Sequence, residues 1–95
     1  MINKAARSAY WAYMVECKYG TYYAGWTNDL TKRIAAHNKG TGAKYLRGKG
    51  PVKLVYKKKF STALKAQAHE RFLKSLTRKE KESVIANEAK QSLKT

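Results

Sequence analysis

Four groups of side chains stand out for the chemistry their types allow. Tyr10, Tyr13, Tyr19, Tyr22 and Tyr23 crowd a short N-terminal stretch. A phenol holds a water, or accepts a proton when a nearby cation lowers its pKa. Tyrosine also favours strands on packing grounds alone, so a structural role is the better expectation for any one taken singly. Lys32 and Arg33 precede His37. Arg33 and His37 stand at i and i+4, neighbours on a helix, and are expected to converge on one ligand. Arginine grips a phosphate through two parallel hydrogen bonds, and histidine moves protons near neutrality. A solvated basic helix face fits the same residues about as well, and that face also suits phosphate contact.

Glu70 is one of only 6 acidic residues. A lone carboxylate holds Mg2+ or Mn2+ when waters and substrate phosphates complete the shell. The local sequence by itself favours a plainer role, a salt bridge to Lys74 at i+4. His69 and Glu70 are adjacent on a helix and point in different directions, so they make a weak zinc signal, and His69 is expected in the core or on the surface. The fourth group is the run Lys39 to Lys49. Its glycines let backbone approach phosphate, Lys44, Arg47 and Lys49 neutralise it, and Tyr45 is placed to stack on a base. The run lacks the Gly-Lys-Ser/Thr ending of a P-loop, which argues against a nucleotide cofactor. A flexible surface loop is the alternative.

These groups need elements to position them. Tyr10 to Cys17 and Tyr22 to Trp26 are aromatic and β-rich, and Gly20 sits where a tight turn requires it, so a hairpin is predicted. Thr27-Asn28-Asp29 supplies capping side chains for a helix from Leu30 to Asn38. Leu30, Ile34 and His37 share one face of it. Val52 to Phe60 reads as a third strand, with Leu54, Tyr56 and Lys58 alternating against Val55, Lys57 and Lys59. Ser61 or Thr62 caps a helix from about Ala63 to Leu76, its apolar face marked by Ala66, Leu73 and Leu76 with Phe72 nearby. Thr77 and Glu80 form a capping box for a third helix ending near Ala86. The class is therefore α+β, order β-β-α-β-α-α, with a small sheet flanked by helices. Residues 1–9 are expected to be a flexible basic arm, 10–86 the folded domain and 87–95 a polar, frayed tail.

Composition narrows the partners. The chain has 95 residues, enough for one domain, with 21 Lys+Arg and a formal net charge of +15. Such an excess implies a polyanion, and nucleic acid is favoured over an acidic membrane surface. No run approaches the ~18 apolar residues of a membrane span. Met1 to Ser8 carries charge without a following apolar run, which argues against a secretory signal. The single cysteine, Cys17, permits neither an internal disulfide nor a Cys-rich zinc site, and suits a reducing cytoplasm. Its apolar setting reads as a half-buried strand position.

The order Trp11-Ala12-Tyr13, Tyr23-Ala24-Gly25, Arg33, His37 and a helical Glu70 resembles the GIY-YIG nuclease domain. The resemblance covers roughly Tyr10 to Ile85. It is strongest to short single-domain bacterial members related to the Slx-type nucleases, through His37-Asn38, Gly40-Thr41-Gly42-Ala43-Lys44-Tyr45, Pro51-Val52-Lys53-Leu54-Val55, and Ala66, Glu70, Lys74 and Leu76. It departs at Trp11, where the first motif has its glycine, and at Ala24, where the second has isoleucine. The resemblance implies a three-stranded antiparallel sheet with the site on one face. It also implies roles: Tyr13 and Tyr23 as the motif tyrosines, Arg33 on the scissile phosphate, Glu70 on the metal, and His37 as a frequent companion. An in-line water would then attack, its proton taken by Tyr23 or His37, with Tyr23 favoured because the family uses it.

Two further functions compete with a metal-dependent DNA endonuclease acting on single-stranded, flap or branched DNA. One is an inactive nucleic-acid binder of the same fold. The other is a basic membrane-surface protein, disfavoured because no helix opposes a strong apolar face to a Lys/Arg face. A binder has no need of the lone carboxylate at Glu70. Substrate structure, oligomeric state, protein partner and pathway are not encoded in any motif.

Overall fold

The computed structural model describes residues 9–42 and 50–94, with side chains described through residue 88. The N-terminal arm before Ala9, and Lys44, Tyr45, Arg47 and Lys49, lie outside the described residues. The elements are β1 (Tyr10–Glu16), β2 (Tyr22–Thr27), α1 (Leu30–Lys39), β3 (Lys53–Phe60), α2 (Ala63–Ser75) and α3 (Arg78–Lys94). The strands form one antiparallel sheet in the order β2-β1-β3.

β1 is the central strand, so both of its faces are covered, and Ala12, Tyr13, Met14 and Val15 are all buried. The turn into β2 closes with Gly20 N–H donating to the Cys17 carbonyl at 2.9 Å. Gly20 has φ 87, a left-handed conformation that glycine adopts without strain. Pleating sorts the side chains. Tyr13, Val15 and Cys17 pack with Leu30, Ile34 and Leu54 under α1, whereas Ala12, Met14, Ala24 and Tyr56 pack with Leu73 of α2 and Val84 and Ile85 of α3. Leu73 is fully buried, and truncating such a leucine to alanine typically costs about 2–5 kcal/mol.

The helix ends follow the sequence signals. The Asp29 carboxylate accepts from Lys32 N–H at 3.1 Å, and the Thr62 hydroxyl from Lys65 N–H at 3.2 Å. Thr77 and Glu80 close a reciprocal capping box, at 2.8 and 3.2 Å. Arg78 then ties α3 to the hairpin. Its Nη1 donates to the Gly20 carbonyl at 2.9 Å and its guanidinium lies 5.1 Å from the Tyr22 ring centre.

Two expectations are corrected. Leu54 and Tyr56 do not share a face. β1 residues Met14 and Val15 pair with Tyr56 and Leu54, leaving Val55 as an extra residue on β3. This bulge resets the alternation and sends Leu54 under α1 and Tyr56 toward α2 and α3. The third helix does not stop near Ala86 either. It runs to Lys94, because Asn87 to Lys94 contains no Gly or Pro to break it and is rich in helix formers.

Candidate active site

Tyr13 and Tyr23 lie on the α1 face of the sheet, in register positions Tyr13↔Gly25 and Val15↔Tyr23. Arg33 comes from α1 and Glu70 from α2, the helix that packs against β1 and β2 from the other side. All four line one cleft of about 260 Å3, together with Trp26, Thr27 and Asn28. Residues far apart in the chain thus meet at the β2 edge of the sheet, where side chains from both faces reach the same space.

Gly25 makes room for the first tyrosine. A Cβ there would stand 2.6 Å from the Tyr13 hydroxyl oxygen and 2.8 Å from its Cζ, closer than real Cβ contacts come. The ring therefore lies over the glycine of the opposite strand, and its hydroxyl meets His37 Nε2 at 2.8 Å. Burial pushes the Tyr13 phenol far above its ordinary range, with Tyr23 and Glu70 adding to the rise and Arg33 opposing it. Burial, then Arg33, pushes His37 below its ordinary value. The bond thus joins two neutral rings. Gly42 packs on the far side of the imidazole, where a Cβ would strike His37 Nδ1.

His37 therefore does not converge with Arg33 on a ligand. It is 1% exposed and sits behind Tyr13. The i, i+4 spacing holds, but the apolar face carrying Leu30 and Ile34 turns His37 into the sheet while Arg33 turns to the cleft. Lys32 lines an adjoining cleft of about 230 Å3 that shares Thr27, Asn28 and Arg33 with the first. Glu70 lines the cleft and makes the expected i,i+4 salt bridge, accepting from Lys74 Nζ at 2.9 Å. That hydrogen bond is the main cause holding the Lys74 ammonium above its ordinary pKa. His69 points away from Glu70, as adjacent helix positions must, and meets the Tyr56 hydroxyl at 2.8 Å between Phe60 and Phe72. Among the described residues no group of three or more His, Cys, Asp or Glu side chains could hold a metal. A cation needing several protein ligands does not fit; one content with a single carboxylate, waters and phosphate oxygens does.

The model of the GIY-YIG catalytic domain matches residues 9–83. The chain belongs to the GIY-YIG family. Its relatives include a UPF0213 protein of Clostridium perfringens, 49% identical over 79 residues that cover 83% of this chain and 85% of that one. The UPF0213 protein YazA of Bacillus subtilis is also 49% identical, covering 77% of this chain and 74% of its own. Among solved structures, the solution structure of a UPF0213 protein from Bacillus halodurans matches with TM-score 0.54 and 40% identity, covering 82% of this chain and 83% of that one. This GIY-YIG domain is thus a short one of the UPF0213 kind, with the α+β order read from its sequence. No helix among its described residues is long and apolar enough to cross a membrane.

The cleft-lining residues that sequence reasoning missed are Trp26, Thr27 and Asn28. Thr27 and Asn28 read as part of the capping signal Thr27-Asn28-Asp29. Trp26 is on the opposite pleat from Tyr23, and only the closeness of α2 to the β2 edge brings it to the cleft.

Proposed function

We propose that this GIY-YIG domain is a metal-dependent DNA endonuclease that hydrolyses phosphodiester bonds in single-stranded or branched DNA. The observation that carries the reading is the meeting of Tyr13, Tyr23, Arg33 and Glu70 around one cleft. The family match supplies the nuclease class. The net charge of +15 supplies the long-range attraction for a polyanion.

Arg33 binds the scissile phosphate and offsets the charge that grows on it during in-line attack. Tyr23, in its phenolate form, would accept the proton of the attacking water and become a neutral phenol. Tyr13 keeps its own proton, because burial disfavours the phenolate. It therefore orients water or phosphate and does not act as the base. His37, neutral and buried, fixes the Tyr13 hydroxyl from behind. Glu70 is the residue to hold Mg2+ or Mn2+, and a hard cation bound there supplies Lewis-acid polarisation of the phosphate. With one such centre, each encounter cuts one strand. A cytoplasmic setting suits a chain whose one cysteine is a free, buried thiol, and a role in DNA repair or recombination would follow from cutting branched DNA.

The test is a nicking assay with Mg2+ or Mn2+ on single-stranded, duplex, flap and branched DNA. Metal-dependent products from the unpaired or branched substrates are expected. Binding to all four with no cut in any would leave a binder in place of an enzyme.

A further inference from the structure

Beyond the cleft, the α1 face of the sheet carries a second pattern. Strand register sets Thr27, Trp11 and Lys59 side by side across β2, β1 and β3. The next row in is Gly25, Tyr13 and Lys57, separated from the first by roughly 6.7 Å along the strands. α1 closes over Tyr13, Val15 and Leu54, but among the described residues Trp11 is not part of that buried cluster. Lys57 and Lys59 are exposed and Trp11 is half-buried. Lys57 Nζ lies 5.8 Å from the Trp11 ring centre. Thr27, at the end of the outer row, also lines the cleft that holds Arg33 and Glu70. Thr27 is itself buried, so the row adjoins the candidate active site at Thr27, and the proposed reaction uses neither Trp11 nor the two lysines.

We propose that this patch is the platform on which an unpaired strand of DNA lies as it leaves the cleft. A base stacks on Trp11, and phosphates meet Lys57 and Lys59. The direction of the strand rests on the nuclease reading; the contact itself does not. Aromatic rings interleaved with cations suit a single strand, whose base faces are free to stack. Bases inside a duplex are already stacked on each other, so a platform of this kind selects unpaired DNA. Lysines on an edge strand also guard it against pairing with another sheet. That second role needs charge but no particular face, and β3 holds the control. Lys58 is exposed on the same strand and points the other way, with its Nζ 5.8 Å from the Phe60 ring centre.

The experiment measures binding of a fluorescein-labelled oligothymidylate, and of a duplex of equal length, in EDTA so that nothing is cut. Trp11→Ala should weaken oligothymidylate binding about 10-fold, and Trp11→Phe less than about 3-fold. Duplex binding should move little in either. Lys57→Ala and Lys59→Ala should each reduce the slope of log affinity against log salt by about 0.7. Lys58→Ala should not. The platform is overturned if Trp11→Ala binds the single strand as the parent does. It is equally overturned if Lys58→Ala loses as much as Lys57→Ala and Lys59→Ala. Should circular dichroism show Trp11→Ala unfolded, the lysine comparison decides alone. A parent that shows this binding pattern but cuts no DNA with metal sinks the nuclease reading and leaves the platform. A parent that cuts while the pattern fails sinks the platform only.

Discussion

Tyr13 and Gly25 face each other across β1 and β2, and the phenol occupies the space a side chain at Gly25 would take. Gly25→Ala should therefore displace the Tyr13 ring and break its 2.8 Å bond to His37. Overpacking of this kind costs about 1–3 kcal/mol. Urea unfolding should show that loss, and DNA cleavage should fall more than stability alone explains. A Gly25→Ala protein as stable and active as the parent would mean the ring sits elsewhere.

Tyr13 and His37 should also be energetically coupled. Tyr13→Phe keeps the ring and removes one partner of a buried hydrogen bond, which costs about 1–3 kcal/mol. In a double-mutant cycle with His37→Gln, a coupling of about 0.5–3 kcal/mol is expected. Strictly additive effects would contradict the pairing.

Acid should weaken the fold before the carboxylates titrate. His37 and His69 are both held below their ordinary pKa by burial, with Arg33 and Lys58 as the respective second causes. The unfolded chain takes up protons near about pH 6.5, and the folded chain resists them. Stability is thus fully present above that pH and declines as pH falls below it, until the folded histidines also charge. Urea midpoints between pH 7.5 and 5.5 should show the decline, and His69→Gln should show less of it. A flat profile in the parent would count against neutral, buried histidines.

Lys74 is paired with Glu70, so a cation held at that carboxylate, as proposed, would have to share it with the ammonium. The ion pair is of the i,i+4 type and Lys74 is 54% exposed, so its loss should change stability by no more than about 0.5 kcal/mol. Lys74→Met should nevertheless lower the Mn2+ concentration needed for half-maximal cleavage. An unchanged or higher requirement would show that Lys74 does not compete at that carboxylate.

Much of this arrangement is legible before any coordinates. The hairpin, the Asp29 and Thr62 caps and the Thr77–Glu80 box depend on local chemistry, which a sequence displays directly. Arg33 and Glu70 could be singled out because phosphate and metal chemistry needs those types, and the family order assigned their places. What stayed hidden is non-local. The Val55 bulge depends on pairing with β1, and the same strand read alone shows unbroken alternation. His37 carries the chemistry of a proton carrier, yet its helix face decides that it serves Tyr13 from the interior. Trp26 reaches the cleft only because α2 lies beside β2.

The claim on which the rest depends is that Arg33 and Glu70 act on the same phosphodiester. Its most direct test is the single-turnover cleavage rate of Arg33→Ala and Glu70→Gln, measured with DNA fully bound to each protein. Removing a group that stabilises transition-state charge usually costs about 100-fold or more, so both rates should fall at least that far while the DNA remains bound. Either variant cutting bound DNA at the parental rate would contradict the account.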